Sequence, residues 1–201
     1  MSEPARRPEP VPELHRRAMD NLSFIRETMA RASAFTAVPG AATVVVGLTA
    51  VGAAVIAHGF LPTRGWLWTW LGEAVLAFLI GAPAMALKAR KAGQSLLQNP
   101  GRRFLLAVLP SLVAGAVLTL VLLGHGLRDL FPGLWMMLYG LGVLSAGAHS
   151  VRPVPLMGLS FMVMGLLAFA LPASAGDLLM GLGFGGLHVG FGLVIARRYG
   201  G

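Results

Sequence analysis

Residues 132–171 read PGLWMMLYGLGVLSAGAHSVRPVPLMGLSFMVMGLLAFAL. Taken as one run they are roughly twice the length a helix needs, since about 20 apolar residues cross a hydrocarbon core of about 30 Å. The only sustained polar interruption is HSVRP, His149 to Pro153. Reading it as a turn divides the run into two spans, 132–148 and 154–171; without it a single overlong span remains. Working outward, four further runs have spanning length, 36–57, 66–87, 104–124 and 176–196. The expected fold is therefore all-α, a six-transmembrane-helix bundle occupying residues 34–198. A chain with 56% hydrophobic and 12% charged residues suits that class.

Charge placement provides an independent check, because cytoplasmic loops carry the excess of Lys and Arg. With the N-terminus inside and six spans, only Arg64 and Arg128 of the 16 Lys and Arg residues fall on the outer side. Merging or dropping a span would strand Arg197 and Arg198 on the wrong side. Both termini are therefore expected in the cytoplasm. Topology thus accounts for the net charge of +8, and the bilayer, not nucleic acid, is the expected partner of the basic residues. Cysteine is absent, which rules out disulfides and thiol chemistry. The basic N-terminal segment exceeds about 30 residues and carries Glu3, Glu9, Glu13, Asp20 and Glu27, which is not the form of a signal peptide.

Residues 1–12, rich in proline and charge, read as a flexible cytoplasmic tail. Residues 13–33 read as a cytoplasmic amphipathic helix: Leu14, Ala18, Leu22, Ile25, Met29 and Ala32 recur every three or four positions. Such a helix either lies on the inner leaflet or docks a cytoplasmic protein partner.

The spans group as three helical hairpins whose outer turns resemble one another. HGFLPTRGWLWTWLG begins at His58 and HGLRDLFPGLWMMLYG at His125. Gly65 and Gly72, Gly133 and Gly140, and Gly176 and Gly183 repeat one spacing. Trp66, Trp68, Trp70, Trp135 and Tyr139 are expected in an interfacial aromatic belt. In the third hairpin Gly158, Gly165, Pro172, Gly183 and Gly190 form a more specific pattern. This resembles the helical hairpin of the HdeD-type acid-resistance membrane proteins, small bacterial inner-membrane proteins of three hairpins. Residues 158–190 carry the resemblance. Pro62 and Pro132 match its turn in the first two hairpins, while Val55 and His125 stand where the preceding glycine would be, and the cytoplasmic arm departs from the pattern. The resemblance implies an inner-membrane location and a stress-related role, and brings no catalytic residue with it.

Ionisable groups inside a bilayer are functional candidates by default. Glu73 lies roughly 10 Å and His188 roughly 18 Å below the outer surface at about 1.5 Å per residue. Glu73 serves either a proton or cation path or a hydrogen bond between helices; His188 serves either as a ligand or as an interhelical hydrogen-bonding residue. The separate depths make them separate sites. His58 and His125 cluster by topology with Arg128, Asp129 and Asp177 at the outer face, where two histidines could respond to falling pH. No catalytic, cofactor or metal motif is found. An enzyme is therefore not expected, and neither is a cofactor. The readings left open are a structural or stress-response component, a transporter using Glu73 with helices broken near Pro83 and Pro110, and an anchor recruiting a regulator through residues 13–33. Small-residue seams allow close helix contact between copies, so a homo-oligomer is among the expectations.

One such seam is GLGFGGLHVGFG, residues 181–192, whose letters also match a dinucleotide loop. That loop needs a preceding strand and water, and neither suits a span ending at Arg197. Read as an α-helix, the stretch places Gly181, Gly185, His188 and Gly192 on one face and Gly183, Gly186 and Gly190 nearly opposite. The expectation is two packing seams, with Gly186→Leu disruptive.

Overall fold

In a computed structural model the described residues are 12–32, 35–59 and 64–200. The N-terminal tail through residue 11 and the turn at Pro62 lie outside them. The chain divides into two units, Met1–Ala34 and Phe35–Gly201. In the first, Pro12–Ala32 forms helix α1, on which Met19, Leu22 and Ile25 are exposed. The second contains α2 (Gly40–His58), α3 (Arg64–Lys91), α4 (Gly101–Gly124), α5 (Phe131–Gly147) and α6 (Pro153–Ala170). It closes with α7 (Gly176–Met180), a π-helical segment (Gly181–Leu187) and α8 (His188–Tyr199), which follow one another without a break. Six stretches among the described residues are long and apolar enough to cross a membrane.

The HSVRP stretch does form a turn between two helices. His149 and Ser150 N–H donate to the Ala146 and Gly147 carbonyls, so the α5 end is satisfied locally. Pro153 then starts α6, where its fixed φ and missing donor cost nothing. The turn is fastened to the strap before α2: Phe35 N–H donates to the His149 carbonyl at 2.7 Å, and Ser150 Oγ donates back to the Phe35 carbonyl at 2.8 Å. The fully buried Phe35 ring packs at 5.0 Å on Phe104 of α4. At the same end Lys88 Nζ donates to the carbonyls of Val38, Tyr199 and Gly200, joining α3, the strap and the C-terminal end of α8.

Two glycine-lined seams hold the bundle. Between α5 and α6, a Cβ on Gly158 would lie 2.4 Å from the Leu144 backbone nitrogen, and one on Gly140 would lie 2.7 Å from the Gly158 carbonyl oxygen. Between α2 and the last span, a Cβ on Gly47 would stand 2.8 Å from the Gly185 carbonyl oxygen, and one on Gly192 would stand 2.8 Å from Val44 N. Only glycine permits such backbone approach, which is how helices gain dispersion contacts where the surrounding lipid removes the hydrophobic drive. By contrast α3 packs chiefly on α2 and α4 chiefly on α5, and both leave wide apolar faces exposed.

Several sequence expectations are corrected. The helices α3 and α4 run unbroken through Pro83 and Pro110, because a spanning helix can absorb the lost backbone bond locally. The departure from α geometry occurs instead at Gly181–Leu187. Gly181, Gly185 and Gly192 face α2, and Gly183 faces Met136 and Phe161, but Gly186 and Gly190 line no seam: a Cβ on either would meet nothing within 4 Å. The wider π turn rotates each residue by less than the α value, so the α-helical face assignment drifts across this stretch. His188 accordingly points to α5 and α6 rather than to the α2 side. The aromatic belt also fails in part, since Trp66 and Trp70 are buried and only Trp68, 68% exposed, stands outward.

Candidate functional site

The buried aromatic residues join the helices around α5 and α6 to those around α2. Trp66 of α3 stacks on Trp135 of α5 at 5.8 Å, and Trp135 stacks on Phe131 at 5.4 Å. Deeper in the bundle, Trp70 meets Phe184 of the π segment, and Tyr139, Phe161, Phe184 and His188 form a mutual ring cluster. Among the described residues four polar side chains are buried, Glu73, Thr119, Asp177 and His188. Burying a polar group is costly unless it is hydrogen-bonded, so each needs a partner.

The partners differ. His188 Nε2 and Tyr139 OH share a hydrogen bond of 2.8 Å between α8 and α5. Glu73, 8% exposed, accepts a 2.8 Å hydrogen bond at Oε1 from Thr49 Oγ1 of α2. Thr119 Oγ1 of α4 accepts from Trp135 Nε1 at 2.8 Å and donates to the Gly115 carbonyl one turn back. Glu73 and His188 thus belong to different helix interfaces. The Trp70 indole N–H is buried with no acceptor among the described residues.

Asp177 has the most polar surroundings. It sits in the first turn of α7, where the helix dipole favours a negative charge. Its Oδ1 accepts a 3.1 Å bond from Trp66 Nε1, and its Oδ2 lies 3.4 Å from His58 Nδ1. The His58 side chain is 79% exposed while Asp177 is only 7% exposed. A solvent-facing titratable ring therefore touches a buried carboxylate, and the pair bridges the last turn of α2 to the start of the last span. His125, by contrast, is exposed and bonds the Val121 carbonyl of its own helix at 2.9 Å. The structure brings His58 and Asp177 together and leaves His125 apart from them.

Sequence reasoning missed the partners rather than the polar groups. Thr49, Thr119 and Tyr139 are polar residues within spans, a signal that could have flagged them. Gly40 and Gly47 share the seven-residue spacing of Gly185 and Gly192, which could have paired α2 with the last span. Among the described residues no three His, Asp or Glu side chains come together as a metal site. Two of the grooves on the surface carry basic side chains. One is lined by Pro39, Ala84, Lys88 and Lys91 among others. The other is lined by Arg64, Leu67, Trp68, Leu123 and Arg128. Glu73 lines neither.

These features define a multi-pass membrane protein. No protein-family model matches the chain, and neither does any curated protein or solved structure.

Proposed function

We propose that the chain is a non-enzymatic inner-membrane protein that responds to acid at its outer end, with a stress-related role like that implied by its resemblance to the HdeD-type proteins. Both termini then lie in the cytoplasm, the spans form three hairpins, and α1 lies along the inner leaflet through Ala18, Leu22 and Ile25. The observation that supports the reading is the His58–Asp177 contact, 3.4 Å between an exposed imidazole and a buried carboxylate.

The chemistry is simple. Histidine is the side chain whose charge most often changes with acid, and an imidazolium facing a carboxylate adds an ion pair to the hydrogen bonds the carboxylate already accepts. The charged ring then gives Asp177 an ion pair in addition to its Trp66 N–H bond. With an uncharged ring the carboxylate keeps the Trp66 bond without a counter-charge. Acid therefore tightens the junction between α2 and the last span. Because His58 is exposed, the gain is small, up to about 1 kcal/mol.

Glu73 fits an assembly role in this scheme, since a threonine hydroxyl on α2 already engages it. The test is survival of cells under acid challenge with the protein, with His58→Gln and with His125→Gln. The expected result is loss of protection in His58→Gln and retention in His125→Gln. Equal protection by wild type and His58→Gln would overturn the acid-sensing role.

A further inference from the structure

At the end of the bundle opposite the chain's last residues, α3 and the turn leading into α5 enclose a groove of about 360 Å³ lined by Arg64, Leu67, Trp68, Leu123 and Arg128. Its composition is divided. Leu67, Leu123 and Trp68 supply an apolar wall, and two guanidinium groups from different elements supply the polar rim. Both arginines are exposed, and no carboxylate among the described residues forms an ion pair with either. Asp129, the acidic neighbour in the same short turn as Arg128, does not engage either of them.

The local backbone adds positive potential. Arg64 is the first residue of α3, whose first turn contains no acidic side chain, so a cation stands where the helix dipole favours an anion. Two cations without a carboxylate partner among the described residues, beside an apolar wall, are complementary to one kind of molecule: an anion with an attached hydrocarbon. The gap is open sideways because α3 and α4 pack chiefly on other helices. Trp68, 68% exposed, stands beside it as an interfacial aromatic residue would.

We propose that this groove binds the headgroup of an anionic phospholipid from the leaflet at that end, with the phosphodiester between Arg64 and Arg128 and the upper acyl chain along Leu67, Trp68 and Leu123. Guanidinium binds phosphate oxygens in a fork, with charge-assisted bonds. A zwitterionic headgroup presents an ammonium group that the two arginines repel, so the site prefers phosphatidylglycerol to phosphatidylcholine. The site is independent of the His58–Asp177 pair.

The test uses the full chain purified in a non-ionic detergent, with bound lipid counted by native mass spectrometry. Phosphatidylglycerol and phosphatidylcholine of matched acyl chains are titrated separately, against wild type, R64Q/R128Q and, as a control at the opposite end, R102Q/R103Q. The expected result is a tightest phosphatidylglycerol step about tenfold weaker in R64Q/R128Q, unchanged in R102Q/R103Q, and not competed by millimolar inorganic phosphate. Circular dichroism of R64Q/R128Q matching wild type assigns the loss to the site rather than to folding, and R64K/R128K, which keeps the charge, retains the lipid preference. Equal phosphatidylglycerol binding by wild type and R64Q/R128Q would overturn the proposal. So would equal affinity for phosphatidylcholine, and displacement by inorganic phosphate would make the groove a free-anion site instead.

Discussion

At the scale of single residues, the buried polar groups divide by what lies within hydrogen-bond reach. Glu73 was legible from the sequence as a carboxyl inside a span, but its depth and helix face said nothing about Thr49, which reaches it from α2 at 2.8 Å. His188 was legible in the same limited way. Its partner Tyr139 reads by position as a surface aromatic residue, and only the packing of α5 against the last span turns it inward. The assembly reading of Glu73 has a sharp consequence. Glu73→Gln keeps an acceptor oxygen for Thr49 and should leave the oligomeric profile and unfolding temperature unchanged. Thr49→Val removes the donor and should cost about 0.6 kcal/mol, the average for hydrogen bonds between spanning helices. Proteoliposomes carrying Glu73→Gln supply the contrary outcome: loss of a proton flux present in wild type would assign Glu73 to transport instead.

Among the helices and turns, existence was easier to read than pairing. HSVRP was legible as a turn because two spans of ordinary length require a break there. Its anchorage to Phe35 was not, because that contact joins residues far apart in sequence. Glycine spacing identified close-packing faces in general but could not identify their partners. The last span misled for a definite reason: an α-helical projection does not hold across a π-helical segment, so Gly186 and Gly190 fall in open positions. Alanine substitution separates the two kinds of glycine. Gly158→Ala and Gly47→Ala force a Cβ against opposing backbone and should cost about 1–3 kcal/mol by overpacking. Gly190→Ala adds a Cβ into open space within α8 and should be neutral or stabilise by up to about 1 kcal/mol. Unfolding in detergent, followed by circular dichroism, measures all three; equal destabilisation by Gly190→Ala would mean that this face packs after all.

For the molecule as a whole, the six spans were legible because length, hydropathy and the placement of 16 basic residues give the same answer. The arrangement of the bundle was not, since apolar helices carry little information about which neighbour they choose. The cysteine-free sequence makes the proposed topology directly measurable. In intact cells Asp129→Cys should react with a membrane-impermeant thiol reagent, and Arg152→Cys should react only after permeabilisation; the reverse pattern would invert the orientation and place His58 in the cytoplasm. The acid response is also a property of the whole bundle, because His58 and Asp177 join two spans that are distant in sequence. It is tested most directly by the thermal unfolding midpoint of the purified chain at pH 5.5 and pH 7.5, for wild type and for His58→Gln. Acid should raise the wild-type midpoint relative to that of His58→Gln by at most about 2–4 °C, the equivalent of about 1 kcal/mol in a chain of this size. Identical pH profiles for the two proteins would contradict it.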